Sequence, residues 1–300
     1  MVGRVLAEPM TEPTFLPTPD GRKLDVYLAG PPDGIPLLFH FGTPSSGLPF
    51  DPAVETFAAR GLRHVSFSRA GYGSSTRRPG RSVADVVDDV GSVLDHIDAE
   101  SIYVIGWSGG GPHALATAAL MPERVRALAL IGGVAPYPAE GLDWTAGMGA
   151  ENVEEFDAAL EGPEALIAFK EREWPELVKV TGPQVADAFG DLIDEVDRRS
   201  LTGEIAEWVA ASMRDALREG YWGWFDDDMA FIKPWGFDLD SLRVPVHIWQ
   251  GGHDRMVPFA HGEWLAAHIP TARPHLLPEH GHLSLAVDSI PWILDELLSA

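Results

Sequence analysis

The stretch that decides the fold is Ile102-Tyr103-Val104-Ile105-Gly106-Trp107-Ser108-Gly109-Gly110-Gly111-Pro112-His113. Its apolar start predicts a buried strand, and the residues from His113 onward predict a helix. Ser108 lies at the bend in the pattern Gly-x-Ser-x-Gly, the form of a nucleophile elbow. Such a turn strains the serine backbone, and Gly106 and Gly110 lack the Cβ atoms that would collide there. The helix N-terminus then offers free N–H groups to an oxyanion beside the hydroxyl.

An ordinary strand-to-helix loop is the alternative interpretation of those five letters, and the flanking elements favour the elbow. On both sides of it, buried strands alternate with helices. Strands are predicted at residues 24–28, 35–41, 64–68, 126–131, 244–249 and 273–277, and helices at 52–60, 82–96 (N-cap Ser82), 260–268 and 289–298. Such alternation is typical of the α/β class, with a doubly wound and mostly parallel sheet. Ligands bind such sheets at the carboxyl ends of the strands.

Length and composition narrow the function. The 300 residues are 45% hydrophobic, enough for one large α/β domain or a core with an insertion. There is no cysteine, which excludes disulfides and thiolate chemistry and is compatible with a cytoplasmic location. A formal charge of -23 argues against nucleic acid and anionic membranes as partners. Residues 1–10 lack a long apolar segment, so we expect no secretory signal, and no apolar run is long enough for a membrane span.

Residues 136–235 differ in composition from the rest of the chain. They hold 23 acidic and 8 basic residues, hence -15 of the total charge of -23, and six of the ten tryptophans. The pattern is helical and poor in strands, so we expect a helical cap at 136–235 inserted into a core of residues 1–135 and 236–300. Its acidic runs, at 151–157 and 191–197, are expected to be solvated surface.

Serine at neutral pH is a poor nucleophile, and it needs a base that is itself oriented by an acid. Asp254 follows a predicted strand in Gly-Gly-His-Asp, and His282 follows the last predicted strand in Glu-His-Gly-His. The chain order Ser, Asp, His is the one expected for an elbow of this kind. Ser108, Asp254 and His282 are therefore the candidate catalytic residues, all at one edge of the predicted sheet.

At this point the chain resembles the α/β-hydrolase superfamily over essentially its whole length. Phe41-Gly42-Thr43-Pro44 is similar to the oxyanion loop after the third strand of that family. Residues 68–74 are similar to its Asp-Arg-x-Gly-x-Gly-x-Ser turn, and residues 121–125 to the linker after the elbow helix. The resemblance implies the α/β-hydrolase fold with a helical cap, in the esterase or proline-iminopeptidase-like branch of the serine hydrolases.

The resemblance also implies a role for each matching residue. Ser108 would be the nucleophile, His282 the general base and Asp254 its orienting carboxylate. The backbone N–H groups of Thr43 and Gly109 would form the oxyanion hole.

Two positions depart from the family pattern. Phe41 stands where the family usually has His, and Ser68 stands where it has the Asp before the arginine. Both changes affect how the loops are braced, and neither removes a catalytic group.

Several residues have competing interpretations. His280 is a rival base, although the spacing Gly281-His282 fits the family better, and Asp143 is an alternative acid that lies far into the cap. The group of His275, Glu279, His280 and His282 lacks the spacing of a metal-binding helix, so we expect no metal ligands.

Aromatic residues are the candidates for the substrate pocket. Those selected are Trp107, His40, Trp144 and Trp222, with Trp174 and Trp224 as further candidates in the cap. The alternative for the cap tryptophans is that they only pack the cap helices together, and we expect one or two of them to face the substrate.

The leading hypothesis is a serine hydrolase that cleaves a small ester or related acyl substrate through an acyl-enzyme. A proline-iminopeptidase-like aminopeptidase, a C–C hydrolase and a cofactor-free haloperoxidase remain alternatives on the same triad. A small-molecule binding protein on the same fold is the alternative without catalysis. We expect a small-molecule substrate and no cofactor. A homodimer is compatible with the sequence.

Overall fold

The computed structural model describes residues 12–300, which form one eight-stranded sheet flanked by helices. The residues on which the expectation of no secretory signal rests lie outside this described part. Within it, no helix is long and apolar enough to span a membrane. The strands are β1 (Thr14–Pro17), β2 (Lys23–Ala29), β3 (Ile35–His40), β4 (Leu62–Phe67), β5 (Ile102–Trp107), β6 (Val125–Ile131), β7 (Val246–Gly251) and β8 (Ala272–Leu277).

The spatial order of the strands is β1-β2-β4-β3-β5-β6-β7-β8. β1 and β2 are antiparallel to their neighbours, and every pair from β4 to β8 is parallel. The predicted α/β class and the mostly parallel sheet are thereby confirmed. The elbow strand β5 lies at the centre, between β3 and β6.

Twelve α-helices connect or follow these strands in the described residues. They are α1 (Asp51–Ala58), α2 (Val86–His96), α3 (Gly110–Leu120), α4 (Ala150–Glu161), α5 (Pro163–Leu177), α6 (Gly182–Ala188), α7 (Glu195–Ser200), α8 (Gly203–Leu217), α9 (Trp222–Phe231), α10 (Phe259–His268), α11 (His282–Asp288) and α12 (Ile290–Leu298).

The two faces of the sheet have separate hydrophobic cores. Along β5, Ile102 and Val104 pack in the core formed with α2, α3 and α10. Tyr103 and Ile105 pack in the opposite core with α1 and α12. This alternation follows from the two-residue period of a strand. A sheet buried on both faces also explains why these strands are almost continuously apolar in sequence.

Two local predictions need correction. Residues 278–282 are predicted to form a loop after the last strand, but His282 is the first residue of α11, a helix too short for its periodicity to stand out. The helix expected from Ser82 begins at Val86 instead. Asp85 accepts hydrogen bonds from the N–H and the hydroxyl of Ser82, so these residues form a turn before the helix.

Between β6 and β7 the chain forms α4 to α9 and no strand, and all of its residues here are described. We call residues 136–235 the helical insertion. The expectation that its acidic runs are solvated surface is wrong at two positions. Asp197 is completely buried, and Glu155 is buried beside Lys170. Both carboxylates have found partners inside the protein, which the charge pattern alone did not indicate.

Candidate active site

The elbow at Ser108 has the backbone strain that the sequence predicts. Ser108 has φ of +55°, a left-handed conformation that is uncommon for a residue with a side chain. A Cβ atom on Gly106 would lie 2.5 Å from that of Ala114, and one on Gly110 would collide with the His40 carbonyl. Only glycines therefore allow α3 to pack closely enough on β5 and β3 to form this turn.

His282 and Asp254 form a buried pair. Nδ1 of His282 lies 2.7 Å from Oδ2 of Asp254, and both side chains are almost inaccessible to solvent. The other carboxylate oxygen of Asp254 accepts the N–H groups of Met256 and Val257, at 2.9 and 2.7 Å. These bonds fix the carboxylate, which in turn fixes the orientation of the imidazole.

The pair has shifted proton affinities. Burial raises the pKa of Asp254 above its ordinary value, against the attraction of His282. Burial alone would lower the pKa of His282, but the charge and hydrogen bond of Asp254 outweigh burial and raise it above 6.5. An imidazole with this partner is suited to accept a proton and to stabilise the resulting charge.

Ser108 and His282 line the same cavity. The N–H of Ser108 donates to the carbonyl of Ile131 at 2.9 Å, and a Cβ on the next residue, Gly132, would lie 2.8 Å from Nδ1 of His282. The ring of Trp107 stacks on the imidazole at 5.8 Å between centroids. Among the described residues, no hydrogen bond joins the Ser108 hydroxyl to the imidazole. In unliganded sites such bonds are often long and tighten when substrate binds.

Thr43 and Gly109, the predicted oxyanion-hole residues, are adjacent to each other and to Ser108. A Cβ on Gly109 would lie 2.8 Å from Cβ of Thr43, and one on Gly42 would lie 3.6 Å from the Ser108 hydroxyl. Both residues line the cavity. Within residues 12–300, no protein group accepts a hydrogen bond from the N–H of Thr43 or Gly109. Two N–H groups next to a serine hydroxyl are the arrangement that an oxyanion requires.

The cavity is about 210 Å³ in volume and lies between the carboxyl edge of the sheet and the helical insertion. Of the predicted pocket residues, Trp107 lines it. The prediction is wrong for the other three. His40 is buried under α3, where it bonds to Thr117, and Trp144 packs on Phe156. Trp222 stacks on the guanidinium of Arg77 on the far side of α9.

Two tryptophans of the insertion do line the cavity. Trp208 of α8 stacks on Trp107 and donates to the Leu48 carbonyl at 3.0 Å. Trp224, one of the further candidates, lies on the face of α9 opposite Trp222, while Trp174 lies outside the cavity. The spacing of apolar residues does not show which face of a helix borders the cavity when the helix is apolar on several sides, as α9 is.

The insertion also supplies a buried charge cluster beside the cavity. Nζ of Lys170, completely buried, lies 2.5 Å from Oε1 of Glu155 and also pairs with Asp228. The indole N–H of Trp224 donates to Glu155 at 2.5 Å. Glu155 and Asp228 line the cavity, whereas Lys170 lies behind them.

The rival catalytic residues lie elsewhere. His280 does not line the cavity, and Asp143 is exposed on the loop before α4. Two histidines of the group considered for metal binding have separate partners: His275 stacks on Trp249, while His282 bonds to Asp254.

One other group has the composition of a metal site: His247, His275 and Glu296, whose ligand atoms lie within 4.8 Å of one another. Its two imidazoles already lie 3.3 Å apart, within hydrogen-bonding distance of each other, which accounts for their position. The two histidines lie on β7 and β8 and the glutamate lies on α12, and none of the three lines the cavity.

Comparisons with known proteins agree with this fold. A family model described as alpha/beta hydrolase fold matches residues 35–161. The chain is 28% identical over 250 residues to a non-heme chloroperoxidase of Streptomyces lividans, covering 81% of this chain and 83% of that one. It is 27% identical over 251 residues to a 2-hydroxy-6-oxononadienedioate/2-hydroxy-6-oxononatrienedioate hydrolase of Cupriavidus pinatubonensis, covering 78% and 74%.

A solved structure has the same fold along its whole length. A hydrolase from Pseudomonas aeruginosa superposes with a TM-score of 0.70 at 20% identity, covering 98% of this chain and 100% of that chain. The sheet order, the position of the elbow and these similarities lead to one conclusion: this chain is an enzyme with the α/β-hydrolase fold.

Proposed function

We propose that this enzyme is a serine hydrolase that cleaves small esters or related acyl substrates through an acyl-enzyme. One observation carries the proposal: a strained serine shares a cavity with a buried His–Asp pair and two free N–H groups. Nucleophile, base, orienting acid and oxyanion donors each have a candidate, which is what acyl transfer requires.

The mechanism uses these groups in two halves. The Ser108 oxygen attacks the substrate carbonyl carbon while Nε2 of His282 takes its proton, and Asp254 stabilises the imidazolium. The tetrahedral oxyanion accepts hydrogen bonds from the backbone N–H groups of Thr43 and Gly109. As the C–O bond to the leaving group breaks, His282 returns the proton to the departing oxygen. Water then attacks the acyl-enzyme with His282 as base, releasing the acid and regenerating the Ser108 hydroxyl.

The charge of the cavity bears on the substrate. Five carboxylate side chains line it, and among the described residues no lysine or arginine does: Glu151, Glu154, Glu155, Glu173 and Asp228. Lys170 and Arg172 pair with four of these carboxylates but do not line the cavity, so an anionic substrate would meet the carboxylates first. The relative from Cupriavidus pinatubonensis is named for a substrate with two carboxylates, and the cavity of this chain is unsuited to such a substrate. The same acidic lining supports a second candidate, an aminopeptidase that takes substrates with a protonated amine.

A fluorophosphonate probe tests the proposal, because it phosphonylates only an activated serine. We expect labelling of the wild type and none of Ser108→Ala. Absence of labelling in the folded wild type would instead favour a binding protein. Hydrolysis of p-nitrophenyl esters, compared with that of aminoacyl arylamides, then separates the esterase from the aminopeptidase.

A further inference from the structure

The peptide group between Gly42 and Thr43 is bonded at one end to a buried arginine. Nη2 of Arg69 donates to the carbonyl oxygen of Gly42 at 2.9 Å, and Nη1 donates to the carbonyl of Phe41 at 2.5 Å. The other end of this same peptide group is the N–H of Thr43, one of the two proposed oxyanion donors. Arg69 therefore binds the oxyanion loop from the side opposite the substrate.

A bond to the carbonyl acts on the N–H through the planar amide. Because the peptide is rigid, fixing the direction of C=O also fixes the direction of N–H. A charged donor on the carbonyl oxygen polarises the amide and makes its N–H a stronger donor. Both effects are greatest in a buried site, and the Arg69 side chain is only 4% exposed.

Asp227, from α9 of the helical insertion, holds Arg69 in this position. Its Oδ2 lies 2.6 Å from Nη2 of Arg69 and also accepts the hydroxyls of Thr43 and Tyr72, each at 2.8 Å. Asp227 is completely buried. Burial alone would raise its pKa, but the charges of Arg69 and Arg81 outweigh burial and hold the pKa well below the ordinary value. The carboxylate is therefore ionised throughout the working range of pH.

We propose that Arg69 and Asp227 are positioning residues for the oxyanion hole, so that docking of the helical insertion sets the direction and strength of the Thr43 N–H donor. The inference rests on the proposed acyl-transfer function and adds a link between the insertion and that chemistry. Thr43 joins the two parts, because it lines the cavity and its hydroxyl donates to Asp227, while its N–H has no acceptor among the described residues.

The test compares Arg69→Lys and Arg69→Met with Arg81→Met. Arg81 pairs with the other oxygen of Asp227 and donates to the Gly223 carbonyl, but has no bond to the oxyanion loop. All three variants disturb the ion pairs of Asp227. Only the two Arg69 variants also remove bonds to the oxyanion loop. Thr43→Val is a milder fourth variant, which removes the hydroxyl with its bonds to Asp227 and Arg69 and keeps the N–H.

We expect kcat for a p-nitrophenyl ester to fall about 10- to 100-fold in Arg69→Met, with KM within about twofold. Affinity for a trifluoromethyl ketone, which forms a tetrahedral adduct with an oxyanion, should fall in proportion to kcat. Arg69→Lys should be intermediate, because it keeps the charge and loses the two-carbonyl geometry. Arg81→Met should lower the melting temperature with a much smaller effect on kcat.

The results separate the two proposals. Failure of the wild type to react with a fluorophosphonate would overturn the proposed function and this inference together. A labelled wild type with kcat and ketone affinity unchanged in folded Arg69 variants would overturn the inference alone. Should the Arg69 variants not fold, Thr43→Val decides: kcat and ketone affinity equal to wild type would overturn the inference, and a parallel loss in both would support it.

Discussion

The carboxylate of Asp197 accepts the backbone N–H of His282 at 2.8 Å, although the two residues belong to different parts of the fold. Asp197 lies on α7 of the helical insertion, and His282 begins α11 of the core. The same carboxylate accepts the N–H groups of Leu283 and Ser284, at 3.0 and 2.9 Å. The insertion thus satisfies the free N–H groups at the start of the helix that presents the proposed base.

We predict that Asp197→Asn lowers the free energy of unfolding by about 1–3 kcal/mol, because one amide oxygen cannot replace a carboxylate that accepts three N–H groups. The variant should also lower the pKa of His282, since the charge of Asp197 contributes to raising it. Denaturant unfolding and the pH profile of kcat/KM measure the two effects. Asp191→Asn is the control, because Asp191 is exposed and pairs only at the surface; an equal response of both variants would contradict the prediction.

The wild-type pH profile follows from the His282–Asp254 pair. His282 must be neutral to accept the Ser108 proton, and its pKa is raised above 6.5 mainly by Asp254, against the effect of burial. We expect kcat/KM to be low in acid and to rise with pH, with a midpoint above 6.5. Asp254→Asn should lower kcat by about 10³- to 10⁴-fold. A wild-type midpoint below 6.5 would contradict this account.

The backbone of Gly132 lies close to the His282–Asp254 pair. It has φ of +54°, and an added Cβ would lie 2.8 Å from Nδ1 of His282 and 3.0 Å from Oδ2 of Asp254. We predict that Gly132→Ala lowers kcat about 100-fold by displacing the imidazole. Gly80→Ala is the matched control, because Gly80 has φ of +71° and open space around its Cβ position. Both variants carry similar backbone strain, so equal kcat values for the two would show that the contact is unimportant.

The acidic cavity predicts selectivity by charge. We expect kcat/KM for a p-nitrophenyl pentanoate to exceed that for the matching glutaryl monoester, which ends in a carboxylate, by about tenfold or more. Raising the salt concentration should reduce the difference, because the carboxylates at the cavity mouth are screened. Equal rates for the two esters at low salt would contradict the prediction. Glu173→Gln, at the half-exposed rim, should narrow the difference.

The central part of the site could be predicted because its geometry is local. The strand before Ser108, the glycines around it and the helix after it are adjacent in sequence, so steric rules alone indicate the elbow. Asp254 and His282 could be placed because both follow strands whose carboxyl ends meet at one edge. Trp107 could be predicted to line the cavity for the same reason, because it is the chain neighbour of Ser108.

The contributions of the insertion could not be predicted, because they depend on how its helices dock. Asp197 and Asp227 lie far in sequence from the loops they bind, and no spacing connects them. One signal was present: three consecutive aspartates in α9 lie among aromatic residues. Charged residues are rarely fully buried unless they are paired, so a charged run inside an apolar helix indicates buried partners. It does not indicate which partners they are.

Lys170 provides a test of the insertion's own stability. Its ammonium is completely buried between Glu155 and Asp228, so Lys170→Met would leave two buried carboxylates without a cation. Breaking a buried pair in this way costs about 3–5 kcal/mol. Arg172→Met is the control, two residues further along α5, because Arg172 is half-exposed and its pairs with Glu154 and Glu173 contribute less than about 1 kcal/mol.

The stability loss in Lys170→Met should depend on pH in a definite direction. Burial raises the pKa of Asp228 even in the wild type, and loss of Lys170 raises it further by removing the opposing charge. A carboxyl whose pKa is higher in the folded state stabilises the fold at low pH and loses that contribution as pH rises. Denaturant unfolding should therefore show that Lys170→Met loses more unfolding free energy, relative to the wild type, at pH 8 than at pH 5. The loss of unfolding free energy in Lys170→Met could instead equal that in Arg172→Met, or stay the same at both pH values. Either result would mean that the cluster of Lys170, Glu155 and Asp228 contributes no more to stability than a surface ion pair.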